Sequence, residues 1–456
     1  MSVATDPDLE WHGEGVTIAD VLAALNRARR RFALMEAGDS QHPHPRNCVM
    51  TLVAVVPDAT VEKRALRAIT DISNRHPCVA IVVRDQPQIR VGKIDSTVSA
   101  HPMQGAQDKP AACELVTLHV HGAAGAHLAA MVDPLLVSGV PTYMWWVSTP
   151  PFATGELAEA LRIADALVVD SASFERPYHS FVALAELVEK SHKRLGLADF
   201  HWERLTPWRE SAAQFLAPKE RRRLFSAIGE VGIDYAGDGR GNRIAAALLC
   251  GWFASSLGWK LERAAAGGGG VVAAIYKAEG WRPVQVAFRS VPRKNLAEGE
   301  VKALRIAGTS GGQSFSFSVE RDPDRSRVPA GGEFQRLHRA GGEDDAAMEI
   351  AQRRAERHRD VITQNLDSLH HTATGDAPGE SLPGQPKVIA GERRRPDTSE
   401  VLLTLINLGE AETLRHVQRV PRLDEAAMLL NLLSIGARDA VYNRSLGAAA
   451  ELMRAL

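Results

Sequence analysis

Two adjacent tryptophans, Trp145 and Trp146, close the apolar stretch Pro141–Trp146. Neighbouring side chains of a strand point to opposite faces, so both rings are buried only where both faces of the sheet are covered. The pair therefore predicts a central strand of a layered α/β domain. An indole also joins a donor to a broad apolar face, so the same strand end is open to a second reading, as a recognition surface.

The residues around this strand read as βαβ units. Thr17 and Asp20 form a capping pair at a helix start, followed by the apolar face Val21, Leu22, Leu25, Ala28 and Phe32. That helix ends in Arg27, Arg29, Arg30 and Arg31, a basic end with either a structural role or, together with Arg46, an anion-binding one. Residues 48–56 form a continuous apolar run, Asp58 caps a helix with face Val61, Ala65, Ile69 and Ile72, and Val79–Val83 is the next strand. A strand, a crossover helix and a strand imply parallel pairing. A short strand is expected over 88–94, a loop over 96–112, and an alternating strand over 114–121 with Thr117, His119 and His121 on one face. A helix over about 126–136, the tryptophan strand, a helix over 155–164 and the strand 166–170 complete the set, with a helical region near 175–195. Several of these strands end in polar residues, and in open α/β sheets ligands bind beyond the carboxyl ends of the strands.

The second half has another rhythm. A helix is expected over 244–257, a hairpin connection at Gly267–Gly270, and strands at 271–276, 284–288, 301–306 and 314–319. Their short spacing favours an antiparallel sheet. The expected organisation is an α/β domain over 1–210 with a mostly parallel sheet and flanking helices, then an α+β domain over 211–340. A charged helix and linker occupy 341–399, and a helical C-terminal tail 400–456.

The 456 residues carry a formal net charge of -1, so overall charge makes no case for a nucleic-acid partner. Four cysteines in so long a chain do not form a disulfide framework. With no secretory leader pattern and no apolar run of membrane length, the expectation is a soluble cytoplasmic protein. His119 and His121, with His76, His127, Cys78 and Cys113, are the residues to weigh for a metal, but no CxxC or HExxH spacing accompanies them. Ser171 follows a strand without the G-x-S-x-G context of a nucleophile and reads as a cap. Gly237, Gly239 and Gly241 precede a helix and read as an anion loop or a plain turn. No catalytic, cofactor or metal residues are expected.

A set of motifs resembles the glucose-6-phosphate dehydrogenase assembly protein (OpcA) family. The residues are Arg46–Cys48, His76-Pro77, Cys113-Glu114, His127 with Asp133–Leu136, Pro141 with Trp145-Trp146, Asp165 with Asp170-Ser171, and Leu205–Arg209. Leu433, Gly436, Asp439, Tyr442 and Leu446 are similar to the family's closing helices. The chain departs from the family pattern at Cys78-Val79, where a small hydroxyl residue and arginine are usual, and at Ser138–Val140 before Pro141. The resemblance implies a non-catalytic factor of the pentose phosphate pathway that binds glucose-6-phosphate dehydrogenase and promotes its oligomerisation or active conformation. Interfaces favour tryptophan and arginine anchors, so the partner-binding candidates are Trp145, Trp146, Trp208 and Arg209, with His127 and Asp170 on the rim. The competing reading is an enzyme or sensor that binds a phosphorylated sugar at the strand ends.

Overall fold

The computed structural model describes residues 9–37, 48–73, 76–102, 112–191, 195–239, 241–278, 280, 282–293, 295–321, 335–337, 400–409, 412–435 and 438–456. The chain is mixed α/β and divides into two units, one of residues 1–203 with 423–443, the other of 204–422 with 444–456.

The first unit holds eight strands, β1 (Glu10–Gly13), β2 (Met50–Val56), β3 (Cys78–Gln86), β4 (Lys93–Pro102), β5 (Ala112–His121), β6 (Thr142–Trp146), β7 (Ala166–Val169) and β8 (Gly196–Asp199). They run in the order β1-β4-β5-β3-β2-β6-β7-β8. The pairs β5-β3, β3-β2, β2-β6, β6-β7 and β7-β8 are parallel, while β1 and β4 add an antiparallel margin. Every residue of β2 is buried, as a run apolar on both faces requires. Asp58 caps the crossover helix Ala59–Ser73 by accepting from the Thr60 and Val61 N–H groups at 2.7 and 2.9 Å. The helix buries Ala65, Ala68, Ile69 and Ile72, one apolar stripe against the sheet. Trp145 pairs with Ala54 and Val168 on either side and is 1% exposed. Trp146, on the opposite face, is 4% exposed. Both faces are covered, as the doublet demands.

Three expectations in this unit fail. Residues 88–92 form a turn rather than a strand, and the expected loop overlaps β4, which pairs with β5 along its ten residues and with β1 at Ser96–Ser99. Its serines, threonine and histidine hid it, for only Val98 and Ala100 carry its buried apolar signal. The helix expected over 126–136 is broken into two 3-10 turns around Leu128–Val132, with Pro134 ending the regular part.

The second unit contains β9 (Ile228–Ala236), β10 (Lys260–Ala266), β11 (Val272–Lys277), β12 (Pro283–Val291), β13 (Val301–Ser310), β14 (Gln313–Arg321), β15 (Gln335–Leu337), β16 (Glu400–Leu408) and β17 (Glu412–Val420). Their order is β10-β11-β12-β9-β13-β14-β16-β17-β15. Among the described residues β9 with β12 is the parallel pair and the other pairs are antiparallel. The C-terminal helices are present as Glu425–Ile435 and Ala440–Arg454. Residues 400–408 and 412–420, however, are strands and not part of that helical tail. Their alternation (Leu402, Thr404 and Ile406 buried, Leu403 and Leu405 less so) has period two, and leucine content alone misled the helical reading. The charged helix and linker expected over 341–399 lie outside the described residues, as does Arg46.

The helix Ile244–Leu257 is apolar almost all round and buried, ending at Gly258 in the left-handed conformation (φ 69°). Gly251 lets it approach Ala440–Arg454 closely: a Cβ there would stand 2.3 Å from the Ser445 carbonyl oxygen and 2.8 Å from the Ala449 nitrogen. Both obstacles are backbone, so relief requires the helices to part. Gly251→Ala is expected to lower stability by about 1–3 kcal/mol, read as a lower urea midpoint at unchanged slope; an unaltered midpoint would refute the close-contact role.

Candidate functional site

The carboxyl ends of the parallel strands form a rim with two polar clusters. Near β3 and β5, Arg84 and His119 sit opposite each other in register, and Glu62 reaches down from the first turn of helix Ala59–Ser73. The Arg84 guanidinium donates to Glu62. His119 Nε2 lies 2.8 Å from Glu62 Oε1, and Arg84 Nη2 lies 3.1 Å from His119 Nδ1. With Arg84 donating to Nδ1, the ring proton belongs on Nε2, where it donates to Glu62. Burial pushes the Glu62 carboxyl up, but the hydrogen bond from His119 and the charge and hydrogen bond of Arg84 outweigh it and hold the group below its ordinary range. On the same face His121 contacts Asp95 at 3.1 Å.

The other face of β3 carries Asp85. Burial raises its carboxyl, and burial together with the Asp85 charge raises that of Glu156. The loop after β5 lies against Asp85, since a Cβ on Gly125 would come 2.1 Å from its Oδ1. Two neighbouring carboxyls make this part of the rim acidic.

The second cluster lies beyond β7 and β8. Asp199 is wholly buried, and its Oδ1 accepts from the Ser171 and His201 backbone N–H groups at 3.0 and 2.9 Å. Its Oδ2 accepts from the Tyr442 hydroxyl at 2.7 Å, across 243 positions of sequence. Asp439 caps helix Ala440–Arg454 through the Val441 and Tyr442 N–H groups and accepts from Trp202 Nε1 at 2.9 Å. Burial first, then the Asp199 charge and hydrogen bond, push the Tyr442 phenol far up, so the hydroxyl stays a donor. Ser171 Oγ and His201 Nδ1 are 3.1 Å apart. They are not a hydrolytic triad: Asp199 takes the histidine's backbone N–H rather than its ring, and Ser171 is 0% exposed.

The residues expected to meet a partner divide sharply. His127 is exposed, and Asp170 is half-buried, its carboxyl accepting from Ala172 N–H at 3.2 Å. Trp145 and Trp146 are core, with Trp145 edge-on to Phe200 at 5.8 Å. Trp208, expected as a surface anchor replaceable without loss of fold, is 1% exposed. Its helix, Thr206–Leu216, takes Pro207 in its first turn, and the indole lies under the Arg321 guanidinium at 5.8 Å. Arg321 is itself held by Glu300 and Glu400 at 2.8 and 3.1 Å, and Arg422 joins the same two carboxylates. Arg209 is half-buried and donates to Thr206 Oγ1 at 2.7 Å.

The metal candidates are not gathered. Cys113 lies near the start of β5 and Cys78 at the start of its neighbour β3, while His119 and His121 lie toward the far end of β5, about 20–26 Å away at ~3.3 Å per residue. Among the described residues no group of three or more His, Cys, Asp or Glu is placed to hold a metal ion. Gly237, Gly239 and Gly241 serve close packing: Gly239 (φ 88°) lies against Gly269, and Gly270 (φ 75°) leaves no room beside Gly239 and the Tyr235 hydroxyl. The helix after them starts with Asn242 accepting from Ile244 N–H. Sequence reading passed over Asp199 and Glu62. The apolar run 196–198 ending in aspartate was the signal for the first, and the second offered none.

Numbered along the chain, the six parallel strands stand in the order 3-2-1-4-5-6, that of doubly wound dinucleotide-binding sheets. Such sheets seat a pyrophosphate on the helix after the first strand, over a glycine-rich turn. Here the turn is Val56-Pro57-Asp58-Ala59, and the Asp58 carboxylate already occupies those N–H groups. Fold and rim thus define a doubly wound α/β protein whose phosphate seat is filled by its own side chain. The chain belongs to the OpcA family: residues 69–186 match the model described as glucose-6-phosphate dehydrogenase subunit N-terminal domain, and 195–446 the corresponding C-terminal domain. A Nostoc punctiforme protein provisionally named OxPP cycle protein OpcA is 30% identical over 250 residues, covering 54% of this chain and 52% of that one. Its namesake from Synechocystis sp. is 29% identical over 247 residues, covering 52% and 50%. The chain therefore spans about half the length of these curated relatives. The solved scyllo-inositol dehydrogenase of Lactobacillus casei is 11% identical, covering 66% of this chain and 80% of that one at a TM-score of 0.35, too slight a likeness to carry an argument. Among the described residues no helix is long and apolar enough to cross a membrane.

Two outcomes follow from this geometry. Tyr442→Phe leaves a buried Asp199 oxygen without its donor and is expected to cost about 1–3 kcal/mol in urea unfolding; an unchanged midpoint would dismiss the clamp. Because the Glu62 carboxyl is depressed when folded, its contribution is present above its ordinary value of 4.5 and is lost as pH falls through the folded value. Glu62→Gln should accordingly flatten the acid side of the stability-pH curve, and a curve parallel to wild type would contradict the assignment.

Proposed function

We propose that this chain is a non-catalytic assembly factor that binds glucose-6-phosphate dehydrogenase in the cytoplasm and promotes its oligomerisation or active conformation. The observation that carries the reading is the pair of family matches, which together run from residue 69 to residue 446 and are described by that enzyme. Two features of the site support it. Two clusters at the rim are tied internally (Glu62 with Arg84 and His119, Asp199 with Tyr442), and Asp58 occupies the seat a phosphate would need. A phosphorylated sugar bound at β3 would also face Asp85 and Glu156, charges of its own sign, which weighs against the sensor reading.

The contact with the enzyme falls to residues that reach solvent. Among the six candidates these are His127, Asp170 and Arg209, while Trp145, Trp146 and Trp208 are buried. Activation then works by preferential binding to the competent conformation: a tenfold shift requires about 1.4 kcal/mol of differential affinity, and equal affinity for both conformations would shift nothing.

The test is co-purification with the dehydrogenase from native extract, followed by activity with and without added protein. His127→Ala and Arg209→Ala should weaken activation at unchanged melting temperature. Trp208→Ala should instead destabilise the protein, by about 3–5 kcal/mol. If the wild-type protein neither co-purifies with the enzyme nor alters its activity, the reading is wrong; full activation by both surface variants would move the contact elsewhere.

A further inference from the structure

Cys78 opens β3 and Cys113 is the second residue of β5. The strands are parallel neighbours with Val79 opposite Glu114, so one step back the register sets Cys78 opposite Cys113. Opposed residues of a parallel pair point to the same face. Their strands lie about 4.8 Å apart, inside the roughly 4.4–6.8 Å range of Cα separations that a disulfide spans. Both side chains belong to the apolar cluster that includes Ala65, Ile69 and Ile72 of the crossover helix, and they are 1% and 8% exposed. Ser73, the last residue of that helix, lies beside Cys113, its hydroxyl donating to the Thr70 carbonyl at 2.7 Å.

This arrangement makes the two sulfurs unequal. Hydrogen bonding with Cys78, then Ser73, outweighs burial and holds the Cys113 thiol below the ordinary range. The bond to Cys113, aided by burial, holds Cys78 well above it. The thiolate is the nucleophile in thiol chemistry, and Cys113 is also the more exposed of the two. Cys48 lies near the same strand ends but gives its thiol to the Met50 carbonyl at 3.2 Å. Cys250, in the other unit, is buried and pushed up to about 12 by burial.

We propose that Cys78 and Cys113 are a reversible dithiol–disulfide site for oxidants of the peroxide class, with Cys113 as the attacking sulfur and Cys78 as the resolving one. In the first step Cys113 sulfur bonds to one oxygen of hydrogen peroxide and the O–O bond breaks. Cys113 becomes a sulfenic acid, and the departing hydroxide takes the thiol proton as water. Cys78 sulfur then attacks the sulfenic sulfur, the S–S bond forms, the S–O bond breaks, and hydroxide leaves with the Cys78 proton as a second water. The two thiols are oxidised together by two electrons and the peroxide is reduced to water. A dithiol reductant reverses the bridge by exchange.

The experiment treats the folded full-length protein with hydrogen peroxide, alkylates the remaining thiols and maps the peptides. A Cys78–Cys113 linked peptide that dithiothreitol abolishes is expected, with Cys250 still fully alkylated. Dimedone, which traps sulfenic acids, should accumulate on Cys113 in Cys78→Ser and label neither position in Cys113→Ser. Linkage through Cys48, linkage only after denaturation, or no Cys113 adduct in a folded Cys78→Ser protein would overturn the assignment. Should a serine variant fail to fold, the wild-type peptide map decides by itself.

Discussion

The Asp199 carboxylate has no solvent exposure, and taking such a group out of water is tolerable only if each oxygen finds donors. Much of the first unit follows from meeting that condition. Two backbone N–H groups, of Ser171 and His201, are held at Oδ1, which fixes the turn after β7 and the start of the helical stretch after β8. Oδ2 requires a hydroxyl, which arrives from Tyr442, so residues 423–443 fold as part of a unit otherwise built from the first 203 positions. Asp439 then aligns the incoming helix twice over, capping it and accepting from Trp202. The motif residues Ser171, Asp439 and Tyr442 meet around a residue that belongs to none of the motifs.

The second unit solves a similar problem with the opposite charge. Arg321 is 8% exposed, its Nη1 and Nη2 paired with Glu300 and Glu400 and its guanidinium lying over the Trp208 ring. Asp234, 3% exposed, is bracketed by Arg289 and Arg305 at 2.7 and 2.8 Å. A planar guanidinium presents donors in a fixed fork and stacks on an aromatic ring, and lysine at 321 would do neither well. The Leu205–Arg209 motif is therefore largely an architectural element, with Leu205 and Trp208 buried and Thr206, Pro207 and Arg209 half-buried.

The strand order is that of nucleotide-binding sheets, yet order alone places no ligand. One aspartate in the first crossover turn gives the helix N-terminus an internal acceptor, and what remains of the rim is acidic at Asp85 and Glu156.

What the sequence determined by itself was local and periodic. The buried run of β2, the tryptophan doublet, the Thr17 and Asp58 caps, the histidine-bearing face of β5 and the long apolar helix were legible because one face or two, apolar or polar, leaves a pattern within ten or fifteen residues. β4, β16 and β17 were not legible, since strands rich in serine and threonine or in leucine are made strands by their neighbours' hydrogen bonds. The candidate site divides in the same way. Tryptophan at 208 could be read as anchor or as core, and only its packing against Arg321 decided for core. The meeting of Asp199 with Tyr442, and of Cys78 with Cys113, depended on which strands became neighbours and where the tail of the chain returned. Those are long-range choices of the fold, and pairings across tens or hundreds of residues leave no periodicity in a single sequence.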